Sequence, residues 1–276
     1  MEPIYSGKVR EVYDVSDNHL IIVTTDRISA FDHILPVLIE GKGVVLNTLS
    51  NFWFDKTRGI ISNHIVDKRI EKMPPFFQNE SFRDRTVMVE KLKMLPFEFV
   101  VRGYMFGSLW KAYENRECFF ENDYKLAQRL EKPVLTPAVK RDIGHDEYVS
   151  MKEVEAQLGN KMTRKIAETC FRLYHVCSEY ACSKGMIIAD AKFEFGLNAQ
   201  GKLVLADEIF TPDSSRYWDA GSYKVGVSPR SFDKQLLRDW LLHNKTNDAF
   251  PFDNIPENVL RRTGELYKEC LDRLIS

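Results

Sequence analysis

The chain of 276 residues carries 39 Lys and Arg against 40 Asp and Glu, a formal net charge of −1, and its length suits one large domain or two modest ones. That balance, with a sequence pI of about 6.6, excludes a dedicated nucleic-acid binder, whose basic stripe normally lifts the pI above about 9. Hydrophobic residues at 44% and charged residues at 29% exclude a chain dominated by disorder, because that much apolar surface outweighs the entropy of ordering.

Met1 to Lys8 lacks the apolar core of a secretory leader. Lys8 to Asp14 and His19 to Thr25 are β-branched runs joined by Ser16-Asp17-Asn18, which predicts a hairpin. Thr25 to Asp32 reads as a polar loop after a buried strand, a place where binding residues gather. Val44 to Arg58 sets Val45, Leu49, Phe52 and Trp53 near helical spacing and stops at Gly59. The longest uncharged run, Gly43 to Phe54, falls short of the roughly 18 residues of a membrane span. Thr86 to Lys93 and Phe97 to Tyr104 read as strands separated by Met94-Leu95-Pro96. Proline there interrupts a ladder and marks the hinge between a β-rich N-terminal unit, residues 1–95, and a larger α+β unit, residues 96–276.

Ser150-Met151-Lys152-Glu153 is a capping box opening a helix that ends near Gly159, and a second helix runs from about Thr163 to Lys184 with Gly185 just past its end. Two more helices are predicted, Phe232 to His243 and from Pro256 onward; the last carries an apolar stripe of Val259, Leu260, Leu266, Tyr267, Cys270, Leu271 and Leu274. Strands mixed with helices, without βαβ alternation, predict an α+β fold of mostly antiparallel sheets with flanking helices. The five cysteines (Cys118, Cys170, Cys177, Cys182 and Cys270) contain no C-x-x-C pair and fit neither a disulfide framework nor a zinc site. Cys170 and Cys177 share a helical face with Ile166, Leu173 and Tyr180, so reduced core residues in a cytoplasmic setting are expected.

The strongest chemical pattern is Ile187 to Gly196, a turn at Asn198-Ala199-Gln200-Gly201, and a return through Leu203 to Glu208. As a hairpin it puts Asp190, Lys192 and Glu194 on one face and Phe193 and Phe195 on the other. If Leu197 pairs with Lys202, Glu194 lies opposite Leu205 and Lys192 opposite Asp207, so Glu194 and Asp207 become diagonal neighbours able to share a hard cation such as Mg²⁺. The competing reading is a solvated face with a cross-strand Lys–Asp pair. Thr211 to Asp219 offers amides and the Arg216 guanidinium to a phosphate or carboxylate. Gly7 precedes a strand with Lys8 and Arg10 on one face, suited to phosphate or simply to a solvated edge. Glu98 and Arg102 share a face of an apolar strand and need a mutual salt bridge or a ligand. His145-Asp146-Glu147 sits in a loop, and the six histidines show no zinc spacing. No Walker A loop, G-x-G-x-x-G or G-x-S-x-G occurs.

In this order, the segments resemble the SAICAR synthetase (phosphoribosylaminoimidazole-succinocarboxamide synthase) family. Leu95 to Arg102 with Gly107-Ser108, and Asp190 to Gly196, carry the likeness. Gly7 to Arg10, Asp26 to Asp32, Asp207-Glu208 and Pro212 to Arg216 support it, so that it spans residues 5 to about 219. One departure is Phe106, where the family usually has a small residue. The resemblance implies a two-lobed fold like that of ATP-grasp enzymes and kinases. It also implies an ATP-dependent ligase that joins L-aspartate to the carboxylate of carboxyaminoimidazole ribonucleotide (CAIR) with Mg²⁺. By this resemblance, Gly7, Lys8, Arg10, Lys91, Met94 and Glu98 bind ATP, and Glu194 and Asp207 bind the metal. Arg102, Ser108, Lys140, Asp146, Ser214, Arg216, Ser29 and Asp32 bind the other substrates. Lys192 and Asp190 are catalytic, Lys192 by stabilising transferred charge. Small molecules are then the partners, not nucleic acid or membrane, with self-association left open. The alternatives are a kinase-like small-molecule phosphotransferase, which lacks support from any H-R-D-x-x-x-x-N or D-F-G motif, and a non-catalytic nucleotide-binding module.

Overall fold

Short apolar runs punctuated by turn residues build the first sheet. Strands β1 (Tyr5–Ser6), β2 (Arg10–Asp14) and β3 (His19–Thr24) form an antiparallel meander, and β4 (Arg27–Ala30) and β5 (His33–Leu38) form a separate hairpin. Helix α1 (Lys42–Thr57) follows, and β6 (Ile65–Asp67) with β7 (Thr86–Glu90) completes a five-stranded sheet in the order β1-β2-β3-β7-β6. The computed structural model describes every residue except 32, 119, 121, 140–146 and 247–248. Within the segment from Thr25 that reads as a loop, Arg27–Ala30 is a strand. Ile28 and Ala30 alternate inward and pack with Leu35, Leu237 and Leu241, and that apolar contact makes a strand of a stretch whose composition looks polar. Helix α1 starts two residues before the predicted Val44, because Asp26 accepts the amides of Gly41 (3.3 Å) and Gly43 (2.8 Å) at its open end.

The second sheet follows as β8 (Lys93–Tyr104), α2 (Gly107–Glu114), β9 (Arg129–Val139), β10 (Glu147–Tyr148), α3 (Met151–Leu158), α4 (Asn160–Ser183), β11 (Met186–Leu197), β12 (Leu203–Ala206) and β13 (Ser215–Asp219). Its order is β10-β9-β8-β11-β12, with β13 also on β11. Helices α5 (Gln235–His243) and α6 (Glu257–Ile275) close the chain. Pro96 does not end a strand. β8 runs through it, and the ladder to β11 slips between Glu98 opposite Glu194 and Met94 opposite Gly196, a bulge that spares the amide proline lacks. The expected boundary between residues 95 and 96 thus falls inside β8.

One face of this sheet is covered by α1, α4 and α6. Phe99, Phe193 and Phe195 pack there with Leu173, Cys177, Phe210 and Tyr267, each side chain contributing about 1.5–3 kcal/mol by burial. Cys170, Cys177 and Cys270 are buried free thiols in that layer, as their helical spacing predicts. The capping box at Ser150 forms, and Gly185 takes the left-handed φ of 70° that stops α4. Among the described residues no helix is long and apolar enough to cross a membrane.

Candidate active site

Strand β11 is the axis of the site. One edge bonds to β8; the other is shared by β13, along Met186 to Ala191, and β12, along Glu194 to Leu197. Between these two pairings the chain of residues 207–214 leaves the sheet and returns, and the Lys192 amide donates to the Ser214 carbonyl across the gap (3.1 Å). Side chains alternate along a strand, so Asp190, Lys192 and Glu194 face this excursion while Phe193 and Phe195 enter the core.

The predicted register is off by one: Leu197 pairs with Leu203, and Glu194 with Ala206. Continued regularly, that register would turn Asp207 to the Phe193 face. Asp207 avoids this by adopting a left-handed φ of 59°, and its Oδ2 comes 3.4 Å from Lys192 Nζ. Such a conformation costs a non-glycine residue on the order of 1 kcal/mol. Residues 62–64 brace it from the other side: the Leu205 amide donates to the Ser62 carbonyl (3.0 Å), and the His64 amide to the Leu205 carbonyl (3.1 Å). The His64 ring is buried beside the Asp207 backbone, and burial holds its pKa down to about 4 against the pull of Asp207.

Charge is laid out along this face as three linked groups. In the first, Lys192 Nζ lies 2.5 Å from Glu194, 3.4 Å from Asp207 and 3.7 Å from Glu98. Burial works against its charge, but Glu194, Asp207 and Glu98 outweigh it and raise its pKa well above that of an ordinary lysine. Arg10 pairs with Glu208 and, at 3.4 Å, with Asp207. Glu194 is only 2% exposed, which excludes the solvated-face reading.

The second group surrounds Asp190, which pairs with Arg216 and stands 3.8 Å from Arg102. Arg102 Nε donates to Thr136 Oγ1 (2.9 Å) and its Nη2 to the Tyr148 hydroxyl (3.3 Å), which donates to Ser108 Oγ (2.7 Å). Phe106 now has a role: the Arg216 guanidinium lies over its ring, 5.7 Å from the centroid, and the ring meets Trp218 edge-on. Gly107 follows with a φ of 62°, and a Cβ there would come 2.7 Å from Arg216 Nη2, so this position requires glycine twice over.

The third group was not foreseen from the sequence. Lys42, 1% exposed, donates to Asp213 Oδ2 (2.7 Å) and to the Arg27 carbonyl (3.0 Å). Tyr267 donates to Asp213 Oδ1 (2.6 Å), and Lys234 lies 3.6 Å from that oxygen. Burial alone would raise the Asp213 pKa, yet Lys234 and Lys42, with the Tyr267 hydrogen bond, hold it well below the usual carboxylate range. The neighbouring Asp233 goes the other way, because burial outweighs the pull of Arg216 and pushes its pKa up. Its Oδ1 accepts the Gln235 amide (2.6 Å), while Oδ2 has no hydrogen-bond partner among the described residues. Ser231 to Lys234 ahead of an apolar run was the available signal, but it reads as the first turn of the predicted helix at Phe232; that helix begins at Gln235.

Of the predicted residues, the fold gathers Arg10, Glu98, Arg102, Ser108, Asp190, Lys192, Glu194, Asp207 and Arg216 on this face. Glu98 and Arg102 do not pair with each other; each reaches across to β11. Ser214 lies in the excursion, its hydroxyl accepting from the Thr211 amide (3.2 Å). Gly7 turns the chain into β2, its amide donating to the Arg10 carbonyl (2.8 Å). Lys8 is exposed in that turn and does not share a strand face with Arg10, since β2 begins only at Arg10. Lys91 pairs with Asp14 (2.8 Å) at the turn into β8, and Met94 is 44% exposed beside Gly196. Ser29 is buried in β4. Asp32, Lys140 and Asp146 lie outside the described residues.

Among the described residues no group of three or more His, Cys, Asp or Glu side chains gathers as a metal cage. The Glu194–Asp207 pair still suits Mg²⁺, which usually takes one or two carboxylates and completes its shell with substrate phosphates and water. A cleft of about 790 Å³ lies elsewhere, lined by Tyr104, Arg129, Tyr174 and Ile188 among others, and no predicted site residue borders it.

The family model described as SAICAR synthetase matches residues 3–251. The phosphoribosylaminoimidazole-succinocarboxamide synthases of Thioalkalivibrio sulfidiphilus and Cupriavidus metallidurans are 45% and 46% identical, over 98% and 97% of this chain and 94% and 92% of their own. A solved Saccharomyces cerevisiae SAICAR synthase complexed with SAICAR superposes with a TM-score of 0.89 at 38% identity, covering 99% of this chain and 94% of that one. A SAICAR synthetase solved in complex with ADP gives 0.72 at 26% identity, over 98% and 97% of the two chains. The chain therefore belongs to the SAICAR synthetase family.

Proposed function

We propose that the chain is an ATP-dependent carbon–nitrogen ligase of purine biosynthesis that joins L-aspartate to the carboxylate of CAIR, giving SAICAR, ADP and phosphate. The observation that carries this reading is the single face of β11, where Asp190 with Arg216 sits two residues from Lys192 and four from Glu194. An anion-binding guanidinium, a cation poised on transferred charge and a carboxylate pair are thereby placed side by side. A free carboxylate is a poor acylating agent, so the γ-phosphoryl group of ATP is transferred to a CAIR carboxylate oxygen. The aspartate nitrogen then attacks the acyl carbon, the C–O bond to phosphate breaks with its electron pair, and the nitrogen loses a proton.

In this reading Arg102, Arg216, Ser108 and Ser214 bind the imidazole nucleotide, with Asp190 holding the two guanidiniums in register. Gly7, Lys8 and Arg10 clamp the nucleotide phosphates, and Lys91, Met94 and Glu98 border its adenine and ribose. Ser29, Asp32, Lys140 and Asp146 are assigned to substrate binding by the family resemblance alone. Mg²⁺, held by Glu194 and Asp207, supplies charge neutralisation at the phosphates. Lys192 keeps a positive charge beside both carboxylates throughout. The setting is the cytoplasm. Incubation with ATP, CAIR and L-aspartate tests the proposal. Phosphate release that requires both co-substrates, with amide formation, is expected; a phosphorylated acceptor without amide, or ATP binding without turnover, refutes it.

A further inference from the structure

Among the described residues, the ligase reading assigns no cation to L-aspartate. L-aspartate offers two carboxylates besides its reacting amine, and each needs a cation when water is excluded. Lys234 is a built candidate. Its side chain is 10% exposed, it makes no hydrogen bond among the described residues, and its ion pair to Asp213 spans 3.6 Å. Asp213 is already committed, with Oδ2 accepting from Lys42 and Oδ1 from Tyr267. One carboxylate thus faces two ammonium groups, and the cluster keeps an excess positive charge. The other charges acting on Lys234 are Arg238, which repels it, and Glu208, which attracts it.

Its position fits an acyl acceptor. Asp213, its ion-pair partner, lies in the excursion of residues 207–214, three residues before Arg216 of the nucleotide-binding group. Glu208, on the other side, pairs with Arg10 beside Asp207. Lys234 therefore stands between the pair that would hold CAIR and the carboxylates that would hold the metal and ATP. From the geometry we infer that Lys234, backed by Lys42, receives a carboxylate of L-aspartate and sets the enzyme's preference for a dicarboxylic amino acid. This inference rests on the ligase reading. The same ammonium could receive a phosphate oxygen of CAIR, and the kinetics separate these two anions.

The test is steady-state kinetics of Lys234→Met with L-aspartate, CAIR and ATP varied separately, together with inhibition by succinate. A roughly 10- to 100-fold rise in the aspartate KM is expected, the usual weight of a hydrogen bond to a charged group. CAIR and ATP KM values should stay within about threefold, and the succinate inhibition constant should rise with the aspartate KM. An unchanged aspartate KM overturns the inference, as does a rise confined to CAIR. Should Lys234→Met fail to fold, Lys234→Arg, which keeps the charge but displaces it, is expected to alter the aspartate KM and not that of CAIR; no change there refutes the inference equally. Wild-type enzyme that forms no amide at all sinks the ligase reading itself, whereas active wild type with an indifferent Lys234→Met sinks only this assignment.

Discussion

Two buried carboxylates of the site, Asp213 and Asp233, sit in opposite electrostatic balances and should respond oppositely to the same substitution. Asp213→Asn preserves shape and an acceptor for Tyr267 but removes the charge that offsets Lys42, whose side chain is 0% exposed, and Lys234. Removing one partner of a buried pair costs about 3–5 kcal/mol, because a desolvated charge is left behind. For a chain of this size that is a drop in Tm on the order of 10 °C. Asp233→Asn keeps the oxygen that accepts the Gln235 amide and removes a charge that burial already disfavours, so it should stay within about 1 kcal/mol of wild type. Urea and thermal unfolding followed by Trp fluorescence at pH 7 read both.

The pH dependence fixes the sign. The folded pKa of Asp213 is depressed below its ordinary 3.8, so its contribution is present above about pH 4 and is lost as the pH falls further. The gap between wild type and Asp213→Asn should therefore close in acid. The folded pKa of Asp233 is raised, so the wild type loses stability through this group as the pH rises above 3.8, and Asp233→Asn should gain on wild type over that range. An Asp213→Asn variant within 1 kcal/mol of wild type at pH 7, or an Asp233→Asn variant as damaged as Asp213→Asn, would refute this account.

Arg216→Ala should lower kcat/KM for CAIR roughly 10- to 150-fold, the weight of about 1.5–3 kcal/mol for bonds to a charged group, and unchanged CAIR kinetics would exclude that role. Lys192→Met, with circular dichroism confirming the fold, should reduce kcat about 10²- to 10³-fold; near-wild-type turnover removes Lys192 from the chemistry. A Cβ at Gly103 would come 2.1 Å from the Tyr174 hydroxyl and 2.9 Å from Cζ, so Gly103→Ala should lower the unfolding free energy by about 1–3 kcal/mol. Adding Tyr174→Phe should recover only part of that loss, since Cζ remains and the Ile188 carbonyl loses its 2.6 Å donor; full recovery would show the ring itself to be free to move.

Most of the fold could be read where one local signal dominated. The Ser150 capping box, Gly185 at the end of α4 and the stripe of α6 all formed as their spacing required. Sequence reasoning failed where long-range contacts overrode local preference. β9 carries Pro133 and Pro137 and still forms a strand, because β8 lies along it and the first of its prolines falls in the register shift between Arg102 and Tyr104. Pro96 is tolerated in the same way, inside a bulge.

The site shows the same division more sharply. Alternation along β11 was enough to place Asp190, Lys192 and Glu194 together, since period two needs no knowledge of the partner strand. The register of the partner did need such knowledge, and the assumed one was wrong by a residue. Asp207 nonetheless arrives beside Lys192 because its backbone turns left-handed where β12 ends. That conformation is not dictated by the local sequence, as aspartate pays for it, and it persists because residues 62–64 clamp the far edge of β12 while Arg10 and Lys192 hold the carboxylate. Glu194 and Asp207 thus meet at Lys192 despite the wrong register, because a strained residue compensates for it. Lys42 and Tyr267 are 171 and 54 positions from Asp213 in the chain, so no spacing rule could have joined them, and only the fold makes that charge cluster visible.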